Sequence, residues 1–96
     1  MRPSEVLEHH RESIRDTAKR FGATKVLVFG SAARGADSDS SDLDLLVEMR
    51  PGTTLLDMVG LQQELESALG ISVDVLTPND LPERVRRRVF QEARPL

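Results

Sequence analysis

Two aspartates, Asp42 and Asp44, stand one residue apart in the segment Asp42 to Glu48, whose Leu43, Leu45, Leu46 and Val47 read as a strand. Side chains alternate along a strand, so the two carboxylates leave the same face, roughly 6 to 7 Å apart at the backbone. Such a pair can share a divalent cation. A third acid, Asp74, sits inside the apolar run Val73-Asp74-Val75, where an unpartnered carboxylate would cost several kcal/mol of desolvation. If Asp74 faces the same side, three hard oxygen ligands converge on an ion of the Mg2+ type. Two such ions about 3.5 to 4 Å apart would activate an attacking hydroxyl and stabilise a leaving pyrophosphate.

Gly30 and Ser31 supply the other half of a site. A glycine that leaves a buried strand for a short helix lets backbone N–H groups approach a phosphate closely, and Ser31 adds a hydroxyl donor. Arg34, just before Gly35, would reach an outer phosphate with its fork of donors.

These residues need elements to hold them. From Ser4 to Phe21, Leu7, Ile14, Ala18 and Phe21 recur at helical spacing, with a gap filled by His10 and Arg11; Gly22 ends the helix. Lys25 to Phe29 is too short for a helix and reads as a strand buried on both faces. After the Gly-Ser turn come a short Ala32-Ala33-Arg34 segment, an acid-and-serine loop over Asp37 to Ser41, and the second strand. Arg50-Pro51-Gly52 is a turn, Thr54 and Asp57 form a weak capping box, and the following helix ends at Gly70. Ile71 to Leu76 is the third strand, and a last helix from about Asp80 to Ala93 carries Val85, Val89 and Phe90.

The order predicts a single α/β domain over residues 1–96, with a small mixed three-stranded sheet flanked by helices. A tight connection suits an antiparallel first and second strand, and the helical crossover suits parallel second and third strands. The end of the first strand then lies beside the starts of the other two.

Composition narrows the classes. The 96 residues hold no Cys, Trp or Tyr, which removes disulfides, thiolate chemistry and an aromatic platform for single-stranded nucleic acid. Direct nucleic-acid binding is therefore not expected. No apolar run suffices to cross a membrane or serve as a secretory signal, so the expectation is a soluble, cytoplasmic chain. The net charge of -3 conceals an uneven distribution: residues 37–80 carry ten acids and one base, and the flanking segments are both net basic. A middle that repels itself this strongly suits a cation or a basic partner.

Gly30-Ser31, ten intervening residues, then Asp42-Leu43-Asp44 resembles the G-S-x10-D-x-D signature of the polymerase-beta-like nucleotidyltransferase superfamily, and Asp74 stands where its third carboxylate is expected. The fuller string Gly-Ser-Ala-Ala-Arg-Gly, with Ser-Asp-Leu-Asp-Leu after it, is similar to the minimal nucleotidyltransferase (MNT) subgroup, as is the closing Glu-Ala-Arg-Pro-Leu. The resemblance runs from Phe21 to Leu96 with no departure at the matched positions. It implies the polymerase-beta-like fold and transfer of a nucleoside monophosphate, AMP from ATP, to a hydroxyl. Asp42, Asp44 and Asp74 would be catalytic residues and ligands of Mg2+, and Gly30, Ser31 and Arg34 would bind nucleotide. It further implies an antitoxin whose partner is a HEPN-domain RNase toxin and acceptor of the AMP. A non-catalytic subunit that neutralises the toxin by complex formation stays open beside it.

Other features carry less. Asp37 to Glu48 imitates a calcium loop, but its sixth position is Asp42 where a glycine is required. Asp37 and Asp39 read as solvated loop acids. His9 and His10 are adjacent and point to different parts of a helix surface, a poor metal pair. Ser31 has no His-Asp relay to make it a nucleophile. The belt Arg84, Arg86, Arg87 and Arg88 is either a solvated face or a surface for an acidic partner or nucleic acid, and Leu55, Leu56 and Met58 read as core. Only residues 75–96 follow the third aspartate, so an acceptor hydroxyl is expected to arrive on another macromolecule.

Overall fold

The computed structural model describes residues 1–96. Helix α1 (Pro3–Arg20) leads into strand β1 (Ala23–Phe29), then α2 (Gly30–Arg34), β2 (Leu43–Met49), α3 (Leu55–Leu69), β3 (Val73–Leu76), a 3-10 turn (Pro78–Asp80), α4 (Glu83–Glu92) and β4 (Arg94–Pro95). The sheet runs β3-β2-β1-β4. β1 and β2 are antiparallel and β2 and β3 parallel, as the connection lengths predict. The expected three strands are corrected to four: Arg94 and Pro95 pair antiparallel with Val28 and Leu27. Two residues ending in a proline are too short to show strand periodicity, and only the free edge of β1 defines them.

Helices cover the sheet unequally. Leu43, Leu45 and Val47 of β2 are fully buried against Ile14 and Ala18 of α1 and Leu61 and Leu65 of α3, with Val73 and Val75 of β3 completing this main core. The opposite face carries a smaller cluster of Phe29, Leu46, Leu81 and Val89 beneath α4. That second layer is short, which leaves one end of its face open.

Each element has local causes. In α1 the backbone departs from helical geometry at His10 (φ -129°, ψ 18°), where the apolar spacing also lapses. Thr54 caps α3 reciprocally with Asp57, and Gly70 closes it in the left-handed region. Several expectations need correction. Lys25 of β1, and Thr24 before it, are exposed, because β4 reaches only Leu27 and Val28 on that edge. Leu55 and Leu56 are 77% and 81% exposed rather than core: they open α3 on its outer side, whereas Met58, expected with them, packs against the core ahead of Leu61 and Leu65. Phe90 is also exposed, since Val89 takes the inward position of α4.

Candidate active site

Asp44 lies near the start of central strand β2, paired across one edge with Phe29 and across the other with Asp74. Residues two further along, Leu46 and Leu76, share this face and pack beneath α4 and the 3-10 turn. Asp44 and Asp74 thus occupy the uncovered end. Asp44 is half-buried, while Asp74 and Asp42, the residue just before β2, are exposed.

Burial pushes the Asp44 carboxyl up to about 6, helped by the charge and hydrogen-bonding capacity of the Asp74 carboxylate and by the charge of Asp42; Arg34 pulls weakly the other way. The acids therefore repel one another across the end of the sheet. A hard, oxygen-seeking divalent cation fits this donor set, because it supplies the positive charge the fold itself omits. The side chains are not drawn into a closed three-ligand cluster.

The turn after β1 brings the donor half against the acids. Gly30 has φ +74°, and a Cβ added there would collide with the Asp44 carboxylate, so backbone conformation and space both demand glycine. Its N–H donates to Glu92 Oε1 at 3.1 Å. Arg34 of α2 grips both oxygens of Glu92, at 3.3 and 3.1 Å. A carboxylate from the end of α4 thus occupies the donors that would receive a phosphate. The Ser31 hydroxyl makes no hydrogen bond within the chain.

Asp42, Asp44, Asp74, Gly30, Ser31 and Arg34 are thus gathered at one end of the sheet, with Arg34 committed to Glu92 rather than free. Glu92 is the member sequence reasoning passed over; it lies in the closing Glu-Ala-Arg-Pro-Leu string, with no local signal of its reach to residue 30. Asp37 is not a solvated acid: it is buried, and its Oδ2 accepts from the Ser4 N–H at 2.7 Å, capping α1. Burial raises its pKa, but hydrogen bonds from Ser4 and from its own backbone, with the charge of Arg2, together hold it below the usual range. Its other oxygen, Oδ1, is buried without a partner. Asp39 is exposed, 3.5 Å from the N-terminal ammonium, and His9 and His10 are exposed. In the arginine belt, Arg86 turns inward to the carbonyl oxygens of Pro78 and Leu81, leaving Arg84, Arg87 and Arg88 outward.

A carboxylate end facing a glycine-serine turn defines the class, and comparison agrees. The profile described as nucleotidyltransferase domain matches residues 8–96, and the chain belongs to that family. It is 33% identical over 87 residues to the protein adenylyltransferase MntA of Thermococcus cleftensis, covering 91% of this chain and 85% of that one. A solved structure described as a candidate minimal nucleotidyltransferase is 45% identical, with a TM-score of 0.87 over 97% of this chain and 95% of the other. The fold also matches a Shewanella oneidensis complex of a tri-AMPylated HEPN toxin with an MNT antitoxin, at 19% identity and a TM-score of 0.66, covering 96% of this chain and 70% of that one.

Proposed function

We propose that the chain is a protein adenylyltransferase that moves AMP from ATP to a hydroxyl of a HEPN-type partner, for which it acts as antitoxin. The observation that carries this reading is the register of Asp44 with Asp74 beside the Gly30-Ser31 turn. One half gathers negative charge around the half-buried Asp44, and the other presents donors to an anion. A nucleoside triphosphate with its divalent cation complements both. The adenylyltransferase relative supports the nucleotide and acceptor class, and the likeness to the MNT partner of an AMPylated toxin supports the partner.

In this reading Asp42, Asp44 and Asp74 would hold Mg2+, which when bound neutralises the triphosphate and the developing charge of the leaving group. The Gly30 N–H, the Ser31 hydroxyl and Arg34 orient the phosphates once Glu92 gives way. The acceptor oxygen attacks the α-phosphorus, the bond to the bridging oxygen breaks, and pyrophosphate departs. Asp74, exposed on edge strand β3, faces the incoming acceptor and takes the hydroxyl proton. The chain has no tyrosine, so a tyrosine acceptor has to be supplied by the partner.

One observation favours a second reading, a binding subunit without catalysis: Glu92 occupies Gly30 N–H and Arg34. Incubation with labelled ATP and Mg2+, with and without the HEPN partner, separates the two. Label on the partner, lost with Asp44→Asn, supports transfer. A stable complex with no label on either protein supports the binding subunit and refutes transfer.

A further inference from the structure

A cavity of about 550 Å³ lies away from the carboxylates, between the C-terminal half of α1 and the start of β1. Four cations border it: Arg15 and Lys19 from α1, Lys25 from β1, and Arg50 from the loop after β2; no Asp or Glu side chain does. None of the four pairs with an Asp or Glu side chain, although the chain carries 16 acidic residues. Glu48, the cross-strand partner of Lys25, makes no ion pair with it. Arg15 donates to the main-chain oxygen of Leu96 at 2.6 Å, which leaves Lys19, Lys25 and Arg50 without a partner. Ala23, Val26 and Leu96 supply an apolar floor.

The same groove opens onto backbone. β4 pairs only with Leu27 and Val28, and the Leu96 N–H reaches the Val26 carbonyl oxygen at 3.4 Å. Ala23, Thr24 and Lys25 have β2 on one side and no strand on the other. A lone edge lysine is an ordinary guard against unwanted pairing. Four cations from three elements around an apolar floor, three of them with no partner within the chain, exceed that need.

We propose that this groove docks an extended acidic segment of a partner polypeptide, which adds as a strand to the free edge of β1. Backbone pairing to Thr24 supplies register, alternate acids meet the cations, and the intervening apolar side chains meet the floor. Polypeptide is favoured over single-stranded nucleic acid because no aromatic residue lines the groove to stack a base. The inference is independent of nucleotide transfer, whose proposed site lies at the other end of β1.

The test is fluorescence anisotropy of the full chain with a labelled decapeptide of alternating Glu and Val, and separately with a labelled RNA decamer. Expected are saturable peptide binding, at least tenfold weakening by Lys19→Glu with Lys25→Glu, and little change with Arg84→Glu and Arg87→Glu. Affinity should fall between about 50 and 300 mM salt, and amide resonances of Thr24 and Lys25 should shift on binding. If circular dichroism shows the double reversal unfolded, Lys25→Gln replaces it, with a smaller but measurable loss expected. Absence of peptide binding, tighter binding of RNA, or equal loss on reversing Arg84 and Arg87 overturns the proposal.

Discussion

Replacing Asp44 by asparagine should stabilise the metal-free protein while abolishing its chemistry. With a carboxyl at about 6 in the fold against an ordinary 3.8, ionised Asp44 opposes folding. The full difference of about two units corresponds to roughly 3 kcal/mol, and solvent at this half-exposed site screens it to about 1 to 2 kcal/mol. Because the folded value is raised, the penalty is absent below pH 3.8, grows as pH rises towards 6, and is complete above that. Asparagine carries no charge at any of these pH values. In EDTA at pH 7.5, thermal unfolding of Asp44→Asn should therefore lie roughly 5 to 15 °C above wild type for a domain this small. The gap should close near pH 4. Millimolar Mg2+ should raise the Tm of wild type and leave the variant nearly unmoved, while nucleotide transfer by the variant falls at least about 100-fold. A variant less stable than wild type in EDTA at pH 7.5, or a gap independent of pH, refutes the argument that burial, with Asp74 and Asp42 beside it, penalises the Asp44 charge.

The remaining predictions concern the donor half and the loop. Glu92→Gln removes the internal anion from Gly30 N–H and Arg34, so ATP should bind about three- to tenfold more tightly by calorimetry; unchanged or weaker binding shows that Glu92 does not compete with phosphate. Ser31→Ala should weaken ATP by about 1 to 2 kcal/mol with no loss of stability, because its hydroxyl has no partner within the chain. Asp37→Ala should cost about 1 to 2 kcal/mol in urea unfolding at pH 7 through loss of the Ser4 cap. The folded pKa of Asp37 is lowered, so that contribution is present above pH 3.8 and lost as pH falls below it; an equal cost at pH 2.5 would contradict the assignment.

The signals that were legible were local in sequence. Asp42 and Asp44 share a face because strands alternate, and the lengths of the connections fix which strands run parallel. What stayed hidden depends on pairs far apart in the chain. Glu92 reaches Gly30 across 62 positions, and Asp37 caps a helix 33 residues earlier; in each case a charged residue in a polar neighbourhood reads as solvated until the fold supplies its partner. Arg86 is indistinguishable from Arg84 and Arg87 in the belt, yet only it meets the carbonyl oxygens of Pro78 and Leu81. Leu55 and Leu56 fail the other way: apolar type suggested burial, but they are exposed while Met58 of the same turn of α3 packs against the core.

The two halves of the site are out of balance in opposite senses, and that imbalance determines what can bind. At the acid end, negative charge exceeds what the fold neutralises; at the donor end, Arg34 and the Gly30 N–H are already satisfied by Glu92. A triphosphate alone meets repulsion from three carboxylates and competition from a fourth. A divalent cation alone relieves the repulsion but leaves the donors capped. On the proposed reading, cation and triphosphate together would resolve both: the phosphates would compete with Glu92 for Arg34 and the Gly30 N–H, and Asp42, Asp44 and Asp74 would hold the cation that offsets their charge. Their binding is then positively coupled, and by linkage ATP must tighten the cation as much as the cation tightens ATP. Titrating each in the presence and absence of the other measures that coupling. Two affinities that do not depend on each other would show that the acids and the glycine-serine turn, though adjacent, do not serve one ligand.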